Sequence, residues 1–376
     1  MNRKRQRPVS GRPPIFDEIA ALPTEALNPR TAKIDEASTS RILEMINGED
    51  LLVAPAVGRV LSQVAKAVEI VVGAIKNEGR VFYVGAGTSG RLGVVDAAEC
   101  PPTFGTPPHL FQGIMAGGRG AVFRSKEGAE DRQAEARRVL GQRGVRARDV
   151  VIGLAACRRT PFVMAALARA RQIGAKTIYV TCNPLSSPSS TSRDRERDGL
   201  GFSGPVADVV IAVEVGAEPI MGSTRMKCGT AEKMILNMIS TASMIRLGKV
   251  YKNLMVDLLA TSEKLRQRSI RIIMLATGCP YDEAVRMLAR AGGSVKVAIV
   301  MKLRGVKRKQ ALGLLERSGG FVKRALKPKP SPPCVGGEAI GREEKHRIGW
   351  QHARPSSGGG RGTRRGPGAM MGRERR

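Results

Sequence analysis

Val81-Phe82-Tyr83-Val84-Gly85-Ala86-Gly87-Thr88-Ser89-Gly90, the front of the run VFYVGAGTSGRLGVVDAAECPPTFG at 81–105, decides how this chain folds. The apolar run Val81 to Val84 reads as a buried parallel strand. It enters a loop of small residues carrying two hydroxyls, and a helical pattern follows from Arg91. Strand, glycine-rich turn and helix start together make a phosphate cradle, because free backbone N–H groups and the positive end of the helix face an anion. Glycine lets the backbone come close and adopt φ > 0. A tight strand–helix turn without a ligand would also account for the glycines; Thr88 and Ser89 add donors that favour the cradle. Nine residues past Gly90 stands Glu99, followed by Pro101-Pro102. A carboxylate near a phosphate loop suits acid–base chemistry on a phosphorylated metabolite, although a solvated surface glutamate would read the same way.

Outward from this segment, apolar strand-like runs recur at 110–115, 149–154, 177–182 and 208–215, with helical stretches near 90–98, 127–140 and 161–173. This alternation predicts an α/β fold, a parallel sheet covered by helices on both faces. Ligands of such sheets bind at the carboxyl ends of the strands, so function is expected in the loops 85–90, 116–118, 155–160, 182–190 and 216–230. Upstream, 51–77 has apolar residues at helical spacing, and Ser38 or Thr39 is placed to cap a short helix before it. Downstream, 229–246 and 253–274 read as long amphipathic helices, followed by short helical segments at 281–290, 293–302 and 308–317.

Composition narrows the class. The 376 residues carry a formal charge of +30, of which residues 1–15 hold +5, 331–376 hold +6 and the body holds +19. A positive body suits an anionic substrate. It would tolerate nonspecific contact with nucleic acid, but 3% aromatic residues leave few stacking platforms, and no specific nucleic-acid partner is expected. The six cysteines form no CxxC pair and there are three histidines, so no zinc-type cluster and reduced thiols are expected. The N-terminus has no apolar signal core and no run of ~18 apolar residues occurs, which predicts a cytoplasmic protein without a membrane span.

Two further segments carry polar chemistry. Glu127-Gly128-Ala129-Glu130-Asp131 resembles a helix first turn, where acids favour the dipole. One of these acids could instead face Glu99 across a substrate, the two holding different protonation states. Met221-Gly222-Ser223-Thr224-Arg225-Met226-Lys227 offers hydroxyls and two cations at a helix start, suited either to a phosphate or sugar hydroxyl or to a simple cap.

The motifs GAGTSGRLGVVDAAECPPTFG, KEGAED, CNP, GSTRMKCGTAEKMILNMISTASMI and GKVYKNLMVDLLAT, in this order, resemble the N-acetylmuramic acid 6-phosphate etherases. The likeness runs from about Thr24 to Leu326. It implies a five-stranded parallel sheet of sugar isomerase (SIS) type sandwiched by helices in 24–275, and a small helical, UBA-like domain in 276–328. The basic ends, 1–23 and 329–376, are expected to be disordered. It also implies a homodimer and a reaction without metal or redox cofactor: N-acetylmuramic acid 6-phosphate and water give N-acetylglucosamine 6-phosphate and D-lactate. By motif, Glu99 becomes the proton donor and Glu130 the second active-site acid. Gly87, Thr88, Ser89, Gly90, Cys157 and Thr160, with Ser223 and Thr224, are expected to hold the phosphate. One departure stands out: where the family reads AASGRTPY, this chain reads Ala155-Ala156-Cys157-Arg158-Arg159-Thr160-Pro161-Phe162. A thiol donates a weaker hydrogen bond than a hydroxyl, and arginine in place of glycine loses φ > 0 and adds bulk. That change leaves open a non-catalytic sugar-phosphate-binding regulator of the same fold, to which the animal glucokinase regulatory protein is similar.

Overall fold

Every side chain of β1 (Val81–Gly85) is buried. This is possible because β1 is an interior strand of a sheet that helices cover on both faces. The computed structural model describes residues 16, 19–157, 160–184 and 206–327. Expectations for the basic ends and for Arg158 fall outside those residues. β1 pairs in parallel with β2 (Phe111–Met115) on one side and β3 (Val150–Leu154) on the other. β4 (Lys176–Thr181) and β5 (Val209–Ala212) extend the sheet to the strand order 2-1-3-4-5.

Alternation along β1 sorts its side chains. Val81 and Tyr83 join one core with Ile152, Leu154, Ile178, Val180 and Ile211. Phe82 and Val84 join the opposite one. The first core is closed by α1 (Thr39–Asp50), α2 (Val53–Gly58), α3 (Leu61–Lys76), α4 (Gly87–Phe104) and the long α8 (Lys227–Arg246). The second is closed by α6 (Gln133–Gln142) and α7 (Pro161–Ile173), with the one-turn α5 (Gly120–Phe123) at its margin. After α8 come a short hairpin, β6 (Val250–Tyr251) and β7 (Leu254–Met255), and the helices α9 (Glu263–Thr277), α10 (Tyr281–Arg290), α11 (Val295–Arg304), α12 (Arg308–Arg317) and α13 (Val322–Ala325). These enclose a third core of their own, around Ile273, Ala298, Ile299 and Val300.

Four local expectations need correction. The 51–77 helix breaks between α2 and α3, where Gly58 and β-branched Val57 and Val60 weaken helix propensity and the chain turns through Val60 N–H to Val57 O at 3.0 Å. Helix α4 starts at Gly87 rather than Arg91 and runs through Pro101-Pro102. The prolines sit in its last turn, and Gly105, at φ 61°, closes it by donating to Pro101 O at 2.9 Å. Residues 127–132 form a turn ahead of α6, not its first turn. Finally, 253–274 begins with the hairpin; helix resumes only at Glu263, where Ser262 Oγ accepts from Leu265 N–H at 3.3 Å.

Helix α4 lies close against the sheet because Gly93 has no side chain. A Cβ there would stand 2.8 Å from Tyr83 Cβ and 3.1 Å from Leu154 Cδ1. Gly93→Ala is therefore expected to cost about 1–3 kcal/mol through overpacking. Thermal unfolding should show a Tm several degrees lower; an unchanged Tm would mean that the helix–sheet spacing is not set at this residue.

Candidate active site

The turn between β1 and α4 is built on mutual close approach. A Cβ on Gly85 would lie 2.6 Å from Gly90 N, and one on Gly90 would lie 2.6 Å from Gly85 O. Gly87 takes φ 54°. The first helical hydrogen bond runs from Gly90 N–H to Ala86 O at 3.1 Å. The N–H groups of Gly87, Thr88 and Ser89 therefore point out of the helix end toward the carboxyl edge of the sheet. Arg91 is not part of this array: its guanidinium donates to the carbonyls of Ala121 and Val122, both at 2.9 Å.

A second wall rises from β3. Cys157 is half-buried, and Thr160 is the buried N-cap of α7, with Pro161 at the first helical position. Burial, and more weakly the charges of Glu25 and Glu232, push the Cys157 thiol up, so it stays protonated at neutral pH. Asn183, just past β4, pins this wall: its Nδ2 donates to Ala156 O and to Thr24 Oγ1, both at 3.0 Å.

The third wall is the start of α8. A Cβ on Gly229 would stand 3.4 Å from Thr88 Cγ2, and Gly229 N–H donates to Thr224 O at 3.1 Å. Thr88 and the Ser223–Thr224 turn are thus neighbours. Glu218 caps the helix, accepting from the N–H groups of Lys227 at 2.9 Å and Cys228 at 3.0 Å. Lys227 does not reach the site. It is fully buried and pairs with Glu49 at 2.7 Å, while Glu49 also binds Arg30. Hydrogen bonds from Arg30, then from Lys227, hold the Glu49 carboxyl down to about 2 against the opposing effect of burial. MGSTRMK reads either as a ligand contact or as a simple cap with solvated charges; Lys227 serves neither, because a carboxylate 178 residues away captures it.

Thr88, Ser89, Cys157, Thr160, Ser223 and Thr224 come to one edge of the sheet. Glu130 lies at the same edge, since its carbonyl accepts from Phe162 N–H in α7 at 2.8 Å. Glu99 does not. It is exposed on α4, twelve residues along from Gly87, which is about 18 Å at the helical rise. The helix carries it toward the amino edge, where neighbouring Ala97 and Ala98 line a shallow cleft with Phe111, at the start of β2, and His109. One copy of the chain therefore does not bring Glu99 and Glu130 to one small molecule.

Glu232 was missed by motif reasoning. It is fully buried in α8 beside Ser89, and burial raises its carboxyl to about 8. The one available signal was its place five residues after Lys227, on the helix face that Cys228 and Ile235 also bury.

Fold and cradle define a sugar-phosphate protein of the SIS class. The model of the glucokinase regulatory protein N-terminal SIS domain matches residues 63–171. Proteins named N-acetylmuramic acid 6-phosphate etherase are similar over far more of the chain. That of Salinibacter ruber is 54% identical over 287 residues, covering 76% of this chain and 88% of its own length. That of Symbiobacterium thermophilum is 50% identical (75% and 89% covered), and that of Clostridioides difficile 47% (76% and 89%). The chain belongs to the N-acetylmuramic acid 6-phosphate etherase family.

The Arg30–Glu49–Lys227 cluster ties the N-terminal segment to the start of α8. Glu49→Ala would leave Lys227 charged and buried without its partner, at a cost of about 3–5 kcal/mol. Glu49 is depressed in the folded state, so its contribution is present above the unfolded value near 4.5 and is lost as pH falls toward 2. Denaturant unfolding from pH 7 to pH 3 should show a steeper acid loss in the native protein than in Glu49→Gln. Parallel curves would remove the assignment.

Proposed function

We propose that this chain cleaves the D-lactyl ether of N-acetylmuramic acid 6-phosphate, releasing D-lactate and N-acetylglucosamine 6-phosphate. The observation that carries this reading is the three-walled cradle at the carboxyl edge of the sheet, in a chain of the etherase family. The 6-phosphate docks on the free N–H groups of Gly87, Thr88 and Ser89, with Gly90 giving the turn its close backbone approach. The hydroxyls of Thr88, Ser89, Thr160, Ser223 and Thr224 and the Cys157 thiol surround it.

The chemistry needs two carboxyl groups. With the sugar ring open, the C1 aldehyde acidifies the C2 proton. One carboxylate removes that proton; the C3–O bond breaks and a C2–C3 double bond forms. An acid gives its proton to the departing ether oxygen, so lactate leaves as the hydroxy acid. Water then adds its oxygen to C3 and a proton returns to C2. We assign proton donation to lactate, and activation of the incoming water, to Glu99, and the second acid–base role to Glu130.

Because Glu99 lies far from the cradle of its own chain, the assignment calls for a homodimer in which Glu99 of the partner subunit completes each site. The surface around Glu99 suits such contact: Val95 is 46% exposed and Ala98 is exposed beside it. Cys157 and the neighbouring Arg158 are this chain's own variation on the phosphate wall.

Lactate release from N-acetylmuramic acid 6-phosphate tests the reading. Glu99→Ala and Glu130→Ala should each lose about 100-fold or more in rate. A co-purified mixture of the two should recover to about a quarter of the native rate, the statistical yield of one intact site per mixed dimer. Failure to recover would sink the shared site; binding of the sugar phosphate with no lactate from the native protein would establish the regulator reading instead. Restoring Cys157→Ser with Arg158→Gly should lower KM about two- to tenfold, the worth of one improved hydrogen bond. An unchanged KM would take Cys157 out of the phosphate wall.

A further inference from the structure

Helix α8 places a carboxyl group directly behind the phosphate cradle. Glu232 is 0% exposed, and neither of its oxygens has a hydrogen-bond partner among the described residues. The Ser89 hydroxyl from α4 lies beside it, and its charge would be felt at the Cys157 thiol after β3 and the Cys182 thiol after β4. The charged groups of the packed elements are engaged elsewhere. Lys227 and Arg30 bind Glu49, and Glu218 caps α8. Lys233 lies 3.9 Å from Asp96, which also accepts from Tyr83 and Ser240, and Glu69 of α3 pairs with Arg246 at the far end of α8. Glu25 stands against Gly222. Among the described residues no cation compensates Glu232, and burial therefore favours its neutral form, with the carboxyl raised to about 8.

A neutral carboxylic acid has a proton to give, which a carboxylate lacks. We propose that Glu232 is a positioning residue of the cradle: as a neutral acid it donates to Ser89 Oγ, freeing the Ser89 hydroxyl hydrogen for the phosphate, and its ionisation weakens phosphate binding. This rests on the assignment of the Gly87–Gly90 turn to the phosphate. Each bond in the chain carboxyl, hydroxyl, phosphate polarises the next. Once Glu232 loses its proton it only accepts, so the Ser89 O–H turns toward it. A negative charge then lies behind an arriving dianion in a dry environment. The same alternation makes the site a pH-responsive binder: substrate affinity falls as the medium becomes alkaline, with no change at the reacting carbons.

The sign follows from linkage. Phosphate binding favours protonated Glu232, so the dissociation constant rises as pH climbs through the folded value of about 8. A phosphate monoester has its second pKa near 6 and stays a dianion throughout that range. Calorimetric titration with N-acetylglucosamine 6-phosphate should give a Kd about tenfold weaker at pH 9 than at pH 7 in the native protein. Glu232→Gln keeps an N–H donor and carries no charge, so its Kd should be flat over the same range. Its Tm advantage over the native protein should grow from pH 6 to about pH 8 and level off above that, because over this range the folded native chain must hold a proton that the unfolded chain has released. A flat native profile, or a Glu232→Gln profile that follows the native one, overturns the proposal. Ser89→Ala separates the two layers of argument. If it binds the sugar phosphate as tightly as the native protein at pH 7, the phosphate assignment itself falls, and the role of Glu232 with it.

Discussion

The closeness of Gly85 and Gly90 is the constraint on which the site depends. The end of β1 and the first turn of α4 approach so nearly that neither residue has room for a Cβ, with backbone atoms 2.6 Å from where one would stand. This approach points the free N–H groups of α4 along the strand axis rather than across the sheet. The helix dipole, the orphan amides and the two hydroxyls then act on one point. A larger residue at either position would move the helix end outward and separate groups that are useful only together. Farther along α4, Gly93 against Tyr83 extends the same logic and keeps the helix axis fixed over β1.

Around this point the protein treats its buried charges in two opposite ways. At the start of α8, Glu218 and the Arg30–Glu49–Lys227 group are partnered: Glu218 caps the helix locally, and Glu49 ties Lys227 to a segment 178 residues upstream. One turn later Glu232 has no charged partner among the described residues and only the Ser89 hydroxyl beside it. An unpartnered carboxyl in a dry interior is stable only when neutral, so the fold keeps a proton there. The two arrangements need each other. If α8 were free to tilt, Glu232 would reach water and ionise, and the contact of Gly229 with Thr88 would be lost as well.

Much of this architecture is legible in the sequence, for physical reasons. Strands β1, β3 and β4 are short, apolar runs rich in β-branched residues, as strands covered on both faces tend to be, and the runs at 81–84, 149–154 and 177–182 match them within a residue or two. The phosphate turn is legible because glycine, hydroxyl and helix start are adjacent in the chain. What does not read locally is what distant residues decide. Lys227 looks like a ligand-facing cation until Glu49 is found beside it. Pro101-Pro102 look like a helix end until Gly105 is seen closing α4 behind them. Glu232 is one glutamate in a helical stretch, and only its burial beside Ser89 gives it a special environment.

The position of Glu99 follows from the same helix. α4 starts at the carboxyl edge and runs antiparallel to β1, so any residue three turns along it must lie toward the opposite edge of the sheet. No side-chain rotation brings Glu99 back over the roughly 18 Å of helix that separate it from Gly87, since a glutamate reaches only a fraction of that from its Cα. A reaction that needs an acid on each side of one hexose therefore cannot draw both Glu99 and Glu130 from a single copy of this backbone. The rigid helix that makes the phosphate cradle is also what carries Glu99 away from it. Under the proposed function, the exposed face of α4 from a second subunit would supply that acid without bending either helix.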